Sequence, residues 1–197
     1  MQPSRRLSLL PSPAAGGPGG LEVHDDDELM LLARGGVEAA FPTLIRRHQA
    51  RALRVAGRYL GRDSWAADVV QDTFVEILRA LPRYQAHGKF SSFLYRVLLN
   101  RCHMTWRTSR AERRALETVS QQLPEVDEGE ILRRERRRDL TMAIGQLSEK
   151  LRVVVLLRYS AELSYEEIAE TLDIPVGTVK RRLFDSMTKL RDLLEGA

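Results

Sequence analysis

The stretch SYEEIAETLDIPVGTVKRRL, Ser164 to Leu183, leaves its part of the chain little conformational choice. Ser164 and Glu167 have the S-x-x-E spacing of a capping box, and Leu163 with Ile168 supplies the flanking hydrophobic staple. A helix should therefore start at Tyr165, bury Ile168, Ala169 and Leu172, and last about two turns. Asp173 can take the turn conformation, Ile174 is driven extended by the following proline, and Pro175 suits the first position of a new helix. That second helix carries Val176, Val179, Leu183, Met187, Leu190 and Leu194 at three- and four-residue steps, which predicts one buried stripe. Its other face shows Thr178, Lys180, Arg181 and Arg182. Gly177 is unfavourable inside a helix by ~1 kcal/mol relative to Ala, but lets the preceding helix or a phosphate come close.

A short helix, a tight turn and a second helix with a basic N-terminal half make a helix-turn-helix. The second helix of such a unit enters the major groove with its early residues at base edges. The competing reading is a structural αα-corner with a solvated basic face. Capping, turn and charge placement all agree with the DNA reading, which favours it.

No strand-like alternation persists anywhere, so the folded part is expected to be all-α. Of the 197 residues, those from 1 to 24 are rich in Pro, Gly, Ala and Ser and read as a disordered tail. A first helical block spans 25–114. It opens with a short helix from Asp26 to Arg34 that stops at Gly35-Gly36. A longer helix follows from about Val37 to Gly61, with Phe41, Leu44, Ile45, Val55 and Tyr59 on its apolar side. The next, capped by Asp63 or Ser64, buries Val70, Phe74, Ile77 and Leu81. The loop RYQAHGKF then leads to a helix capped by Ser91 or Ser92. Residues 115–130 lack a stripe and end in the acidic PEVDEGE, so they read as a flexible linker, and 131–197 form a second helical block. The expected architecture is two small helical domains on a tether.

The function classes narrow by elimination. Lys and Arg total 31 against 27 Asp and Glu, a mild basic excess whose distribution matters more than its size. Cys102 is the single cysteine, and the four histidines (His24, His48, His87, His103) are scattered, reading as surface or satisfied residues rather than metal ligands. No apolar run approaches the ~20 residues of a membrane span, and the run after Arg5-Arg6 ends at Pro11, too short for an export signal. No phosphate-cradling glycine loop, nucleophile elbow or metal motif is present. The expectation is a cytoplasmic protein with no cofactor, no membrane insertion and no catalytic role.

Four motifs then occur in order: DELMLLARGGVEAAFPTLIRRH, ADVVQDTF (Ala67–Phe74), FSSFLYRVLLNR (Phe90–Arg101) and the helix-turn-helix. Together they resemble RNA polymerase sigma factors of the extracytoplasmic-function (ECF) subfamily of the sigma-70 family, over nearly all of 26–194. The resemblance implies region 2 and region 4 domains, the first binding core polymerase and the promoter −10 element, the second the −35 element. The implied partners are core RNA polymerase (its largest-subunit clamp coiled coil and its flap), promoter DNA and an anti-sigma factor. It assigns Asp68, Gln71 and Asp72 to the clamp; spacing alone shows only that they lie on a polar ridge with Arg79, which any surface helix could have.

The segment Asn100 to Arg114 carries five arginines and one glutamate, with His103 and Trp106 among them. Arginine interleaved with aromatics suits a backbone-tracking surface that also touches unstacked bases; the plainer reading makes Trp106 core and the arginines solvated. The resemblance gives Asn100, Arg101, His103, Trp106, Arg107 and Arg110 to the −10 element. It also has the loop Tyr84–Lys89, with Gln85, His87 and Lys89, capture a flipped base. Gly177, Thr178, Lys180, Arg181 and Arg182 fall to the −35 element. Met104, Arg181 and Asp185 depart from residues common in the family, so the promoter read may differ while the fold does not. The alternative is a free-standing helix-turn-helix regulator whose first block senses a ligand or dimerises.

Overall fold

The computed structural model describes residues 20–61, 63–113 and 139–195. Among them every long element is an α-helix: α1 (Asp26–Arg34), α2 (Ala40–Leu60), α3 (Asp63–Ala80), α4 (Phe90–Arg113), α5 (described over 139–146), α6 (Glu149–Tyr159), α7 (Tyr165–Leu172) and α8 (Val176–Glu195). The all-α expectation holds. The tail before residue 20, the tether with its PEVDEGE, the Asp63 or Ser64 cap and the Arg110 side chain lie outside the described residues and side chains.

In the first half α3 and α4 pack on α2, and α1 lies across α2. Leu44 and Val55 of α2, Ile77 of α3, and Leu94, Leu98 and Cys102 of α4 are fully buried. Phe41 and Phe74 join α2 to α3 edge to face at 6.4 Å. Burying each such side chain contributes ~1.5–3 kcal/mol. Burial also pushes the Cys102 thiol up to about 12, so it is a protonated core residue rather than a nucleophile. Gly61 ends α2 at φ 68°, the left-handed conformation that glycine takes without strain, and its N–H donates to the Gly57 carbonyl.

Three boundaries differ from expectation. Leu21–Val23 form a 3-10 turn with Leu21 buried, so order begins before residue 25. The cause lies in α2: Arg47 donates to the carbonyls of Glu22 and His24, each at 2.8 Å. The second helix starts at Ala40 rather than Val37, and α4 starts at Phe90, which puts Ser91 and Ser92 inside its first turn rather than at its cap.

In the second half α6 runs through the middle, packed by α8, α7 and α2. Its run Val153–Leu157 is buried on every side, as expected of a helix with neighbours all round. The α7 capping box forms as predicted, with Glu167 N–H donating to Ser164 Oγ at 3.1 Å and Ser164 N–H to Glu167 Oε2 at 2.8 Å. Asp173 takes the left-handed conformation at φ 52°, ψ 52°. The predicted stripes need correction. Leu172 is only half-buried and Thr171 is buried instead, while on α8 Met187 and Leu194 are each 45% exposed. The true α8 face runs Val179, Leu183, Ser186, Leu190. One position beyond Ser186 rotates about 100° around the helix, so Met187 leaves the core. The Ser186 hydroxyl is satisfied by the Arg182 carbonyl at 2.5 Å.

The anchor of α1 is electrostatic. Asp26 accepts from Arg47 at 3.0 Å and from His48 Nε2 at 2.6 Å. Burial alone would raise its carboxyl, but the bonds from His48 and Arg47 hold it below its ordinary 3.8. A depressed folded value means that this stabilisation is complete above the unfolded value and lost as pH falls through the folded one. Asp26→Ala should cost ~1–3 kcal/mol in urea unfolding at neutral pH. The gap to wild type should narrow progressively as pH falls below 3.8; a gap that does not narrow with acid would assign the effect to packing instead.

Candidate nucleic-acid interface

On α8 the basic residues stand where the sequence puts them. Lys180 and Arg181 are exposed, Arg181 at 85% of its side chain, while Thr178 and Arg182 are half-buried. Lys180 lies 5.8 Å from the Tyr165 ring of α7, and Arg181 approaches Asp185 at 4.0 Å. Neither contact immobilises a charge at this exposure. A Cβ on Gly177 would meet no heavy atom within 4 Å, so contact with the preceding helix does not require glycine there.

On α3 the predicted ridge is real. Asp68, Gln71 and Asp72 are exposed while Val69, Val70, Thr73 and Phe74 beneath them are buried. Beside it lies a feature the motif reading missed, an apolar groove of about 460 Å³ between α2 and α3. Phe41, Ile45, Leu53, Val70, Phe74, Val75 and Leu78 line it, with Gln49 and Gln71 among them. The signal was present in Val75 and Leu78, exposed apolar residues of α3 outside its predicted buried stripe.

The third predicted surface, on α4 and the loop before it, is divided. Gln85, His87, Asn100 and Arg107 are exposed. Gln85, His87 and Lys89 line a cleft of about 370 Å³ with Arg83, Tyr84, Phe93 and Arg96. Arg101 does not point into free space: its Nε donates to Glu76 of α3 at 2.7 Å, and Asp72 is 3.8 Å away. Lys89, His103 and Trp106 face the second half of the molecule.

That facing arrangement is the main finding at the site. Glu170 of α7 closes the cleft, pairing with Lys89 at 2.7 Å while its carbonyl accepts from Arg96 at 2.7 Å. Ser92 donates to the Glu167 carbonyl at 3.3 Å. Glu149 of α6 accepts from His103 at 2.8 Å and from Tyr59 at 2.9 Å. The His103 bond, against a smaller effect of burial, holds the Glu149 carboxyl below its ordinary range. Arg152 stacks over Tyr59 at 4.9 Å and Trp106 at 5.9 Å, and Glu162 meets Arg51 at 2.8 Å and Arg54 at 3.3 Å. The acids of one half thus meet the cations of the other.

Among the described residues no group of acids, histidines or cysteines could hold a metal ion, and no helix is long and apolar enough to cross a membrane.

Comparison with known proteins agrees with this layout. The family model for sigma-70 region 2 matches residues 44–112, and that for sigma-70, region 4 matches 137–190. The chain is 32% identical over 181 residues to the ECF RNA polymerase sigma-E factor of Haemophilus influenzae, covering 86% of this chain and 93% of that one. It is 31% identical over 175 residues to the RNA polymerase sigma-H factor of Pseudomonas aeruginosa, covering 83% and 91%. Among solved structures, CnrH in complex with the cytosolic domain of CnrY matches with TM-score 0.69 and 26% identity, over 87% of this chain and 97% of that one. The sigma factor RpoE of Bartonella quintana, in complex with the anti-sigma factor NepR, shares the fold at TM-score 0.60 and 20% identity, over 79% and 96%.

The facing charges lead to a prediction for the shape in solution. Glu162→Lys with Glu170→Lys turns both pairings into repulsions. Small-angle scattering should then show a larger radius of gyration with helicity by circular dichroism unchanged. An unchanged radius would show that apolar contact between the halves, not charge, holds them.

Proposed function

The chain belongs to the ECF RNA polymerase sigma factors of the sigma-70 family, and from that premise we propose how its surfaces divide the work of promoter recognition. As an alternative sigma factor it directs transcription initiation, binding core RNA polymerase and promoter DNA in the cytoplasm. Polymerisation chemistry belongs to the polymerase. In this reading 25–114 act as region 2 and 131–197 as region 4, joined by 115–130.

The observation that carries the assignment is the α3 surface. Asp68, Gln71 and Asp72 stay exposed on a helix whose opposite side is sealed, and an apolar groove adjoins them. A polar ridge that shares Gln71 with an apolar depression suits a protein interface, where the apolar part contributes affinity and the polar part sets register. These three residues and the groove are our proposed contact for the largest-subunit clamp. Gln85, His87 and Lys89 take a base flipped from the non-template strand. Asn100, Arg101, His103, Trp106, Arg107 and Arg110 track the −10 element, and Gly177, Thr178, Lys180, Arg181 and Arg182 serve the −35 element. An anti-sigma factor is a further partner, supported by the likeness to CnrH, which was captured with the cytosolic domain of CnrY.

The facing halves bear on mechanism. While Glu170 pairs with Lys89 and Glu149 accepts from His103, a strand must compete with these carboxylates for the two residues. Opening requires breaking pairs that are largely solvent-exposed, each worth ~0–1 kcal/mol, together with the apolar contact beneath. Docking on the polymerase would supply that free energy and fix the separation of the two modules, converting the second DNA contact into an intramolecular one.

Two measurements test the assignments. Asp68→Ala, Gln71→Ala and Asp72→Ala together should leave helicity and melting near wild type and weaken binding to core polymerase at least tenfold. Core binding that survives the triple substitution removes the proposed contact. For the −35 module, promoter selection with Arg181→Ala holoenzyme should relax preference at one upstream base by ~1–3 kcal/mol. A uniform loss at all bases would mean that Arg181 grips only the backbone.

A further inference from the structure

Three consecutive aspartates precede and open α1, and each has a separate task. Asp25 caps the helix, and Asp26 holds Arg47 and His48. Asp27 does neither. It is only 7% exposed, and its two oxygens reach 57 and 61 positions along the chain to the loop between α3 and α4. Oδ1 accepts from the Tyr84 hydroxyl and Oδ2 from the Gly88 amide. Bonds to an ionised acceptor are about twice as strong as neutral ones, and burial removes competing water. Arg34, at the other end of α1, donates to the Tyr84 carbonyl at 2.8 Å. The Tyr84 ring packs against Phe93 and Phe90, at 5.7 and 6.4 Å. Gly88 sits at φ 70°, a conformation that would strain most other residues. The loop is therefore pinned at both ends. Gln85, Ala86 and His87 between the pins are exposed, and Gln85 and His87 line the cleft.

We propose that Asp27 is a positioning residue for promoter recognition, acting through Tyr84 and Gly88 to hold Gln85 and His87 in one arrangement toward an unstacked base. The inference rests on the reading of this loop as the one that captures a base. Asp27 itself touches no DNA. Discrimination is a difference of affinities, and it requires donors and acceptors fixed in place. A loop freed at both pins would present several arrangements and accept several bases.

The test is promoter selection from a library randomised across the −10 element, using holoenzyme reconstituted from core polymerase and the full chain. Asp27→Ala removes both acceptors, and Tyr84→Phe removes one donor while keeping the ring. Asp27→Asn can keep both bonds, its amide oxygen accepting from Gly88 and its NH2 donating to the Tyr84 oxygen. Preference at a single −10 base should fall about tenfold in Asp27→Ala, fall less in Tyr84→Phe, and return in Asp27→Asn. Core affinity and −35 preferences should stay at wild-type values. Unchanged −10 preference in both Asp27→Ala and Tyr84→Phe overturns the proposal, as does an equal loss at every −10 position. Should Asp27→Ala fail to fold, Tyr84→Phe decides by the same criterion. The double variant Gln85→Ala, His87→Ala, run in parallel, separates the two levels. If it leaves the preference unchanged, the base-capturing reading fails and takes the proposal with it. If it alters the preference while the Asp27 and Tyr84 variants do not, only the positioning role of Asp27 is wrong.

Discussion

Along α4, Leu94, Leu98 and Cys102 are sealed where the helix packs on α2 and α3, while Ser92, Arg96, His103 and Trp106 meet α6 and α7 of the other half. The first contact is apolar, buried and worth several kcal/mol per large side chain removed. The second includes hydrogen bonds and ion pairs that are partly exposed to solvent. That difference sets what in the molecule is permanent and what is exchangeable. The α2–α3–α4 core presents the ridge, the groove and the loop as rigid surfaces. The contact with the second half can be given up to a partner that offers equivalent charges, and nucleic acid offers them as phosphates.

Charge complementarity between the halves follows the same division. Glu149, Glu162 and Glu170 stand opposite His103, Arg51, Arg54 and Lys89. At Lys89 and His103 carboxylates occupy the places that the proposed reading gives to DNA. Such pairs give orientation and selectivity more than affinity, so they can set how the halves meet without locking them together. The α1 contacts differ in kind. Asp26 and Asp27 are more deeply placed and satisfy both of their oxygens within the first half. Neither set of contacts involves the second half.

Local chemistry was readable from the sequence where neighbours in the chain are also neighbours in space. The Ser164–Glu167 box, the left-handed Asp173, the Gly61 stop and the exposed ridge at Asp68, Gln71 and Asp72 all have their causes within a turn or two of helix. What could not be read depends on distant pairings. Arg47 orders the turn at Leu21–Val23, Asp27 holds a loop 57 positions away, and Glu149 occupies His103. No periodicity encodes such contacts. The α8 stripe failed for a subtler reason: Leu183 to Met187 is a legitimate four-residue step, but the helix tilts its face toward Ser186, whose hydroxyl is satisfied by the Arg182 carbonyl. Apolar pattern alone cannot anticipate a buried serine. Trp106 is neither the core residue of the plainer reading nor an open surface residue, but half-buried against Arg152 of the other half.

The central claim is that this chain reads promoters as a polymerase subunit, its two DNA surfaces working together only once core polymerase has parted them. The most direct test titrates one promoter fragment, and a scrambled fragment of equal length, with the free chain and with reconstituted holoenzyme at the same salt concentration. The account predicts weak binding without preference by the free chain and strong preference for the promoter by holoenzyme. Tight, promoter-specific binding by the free chain, unimproved by core polymerase, would contradict it and favour a free-standing regulator.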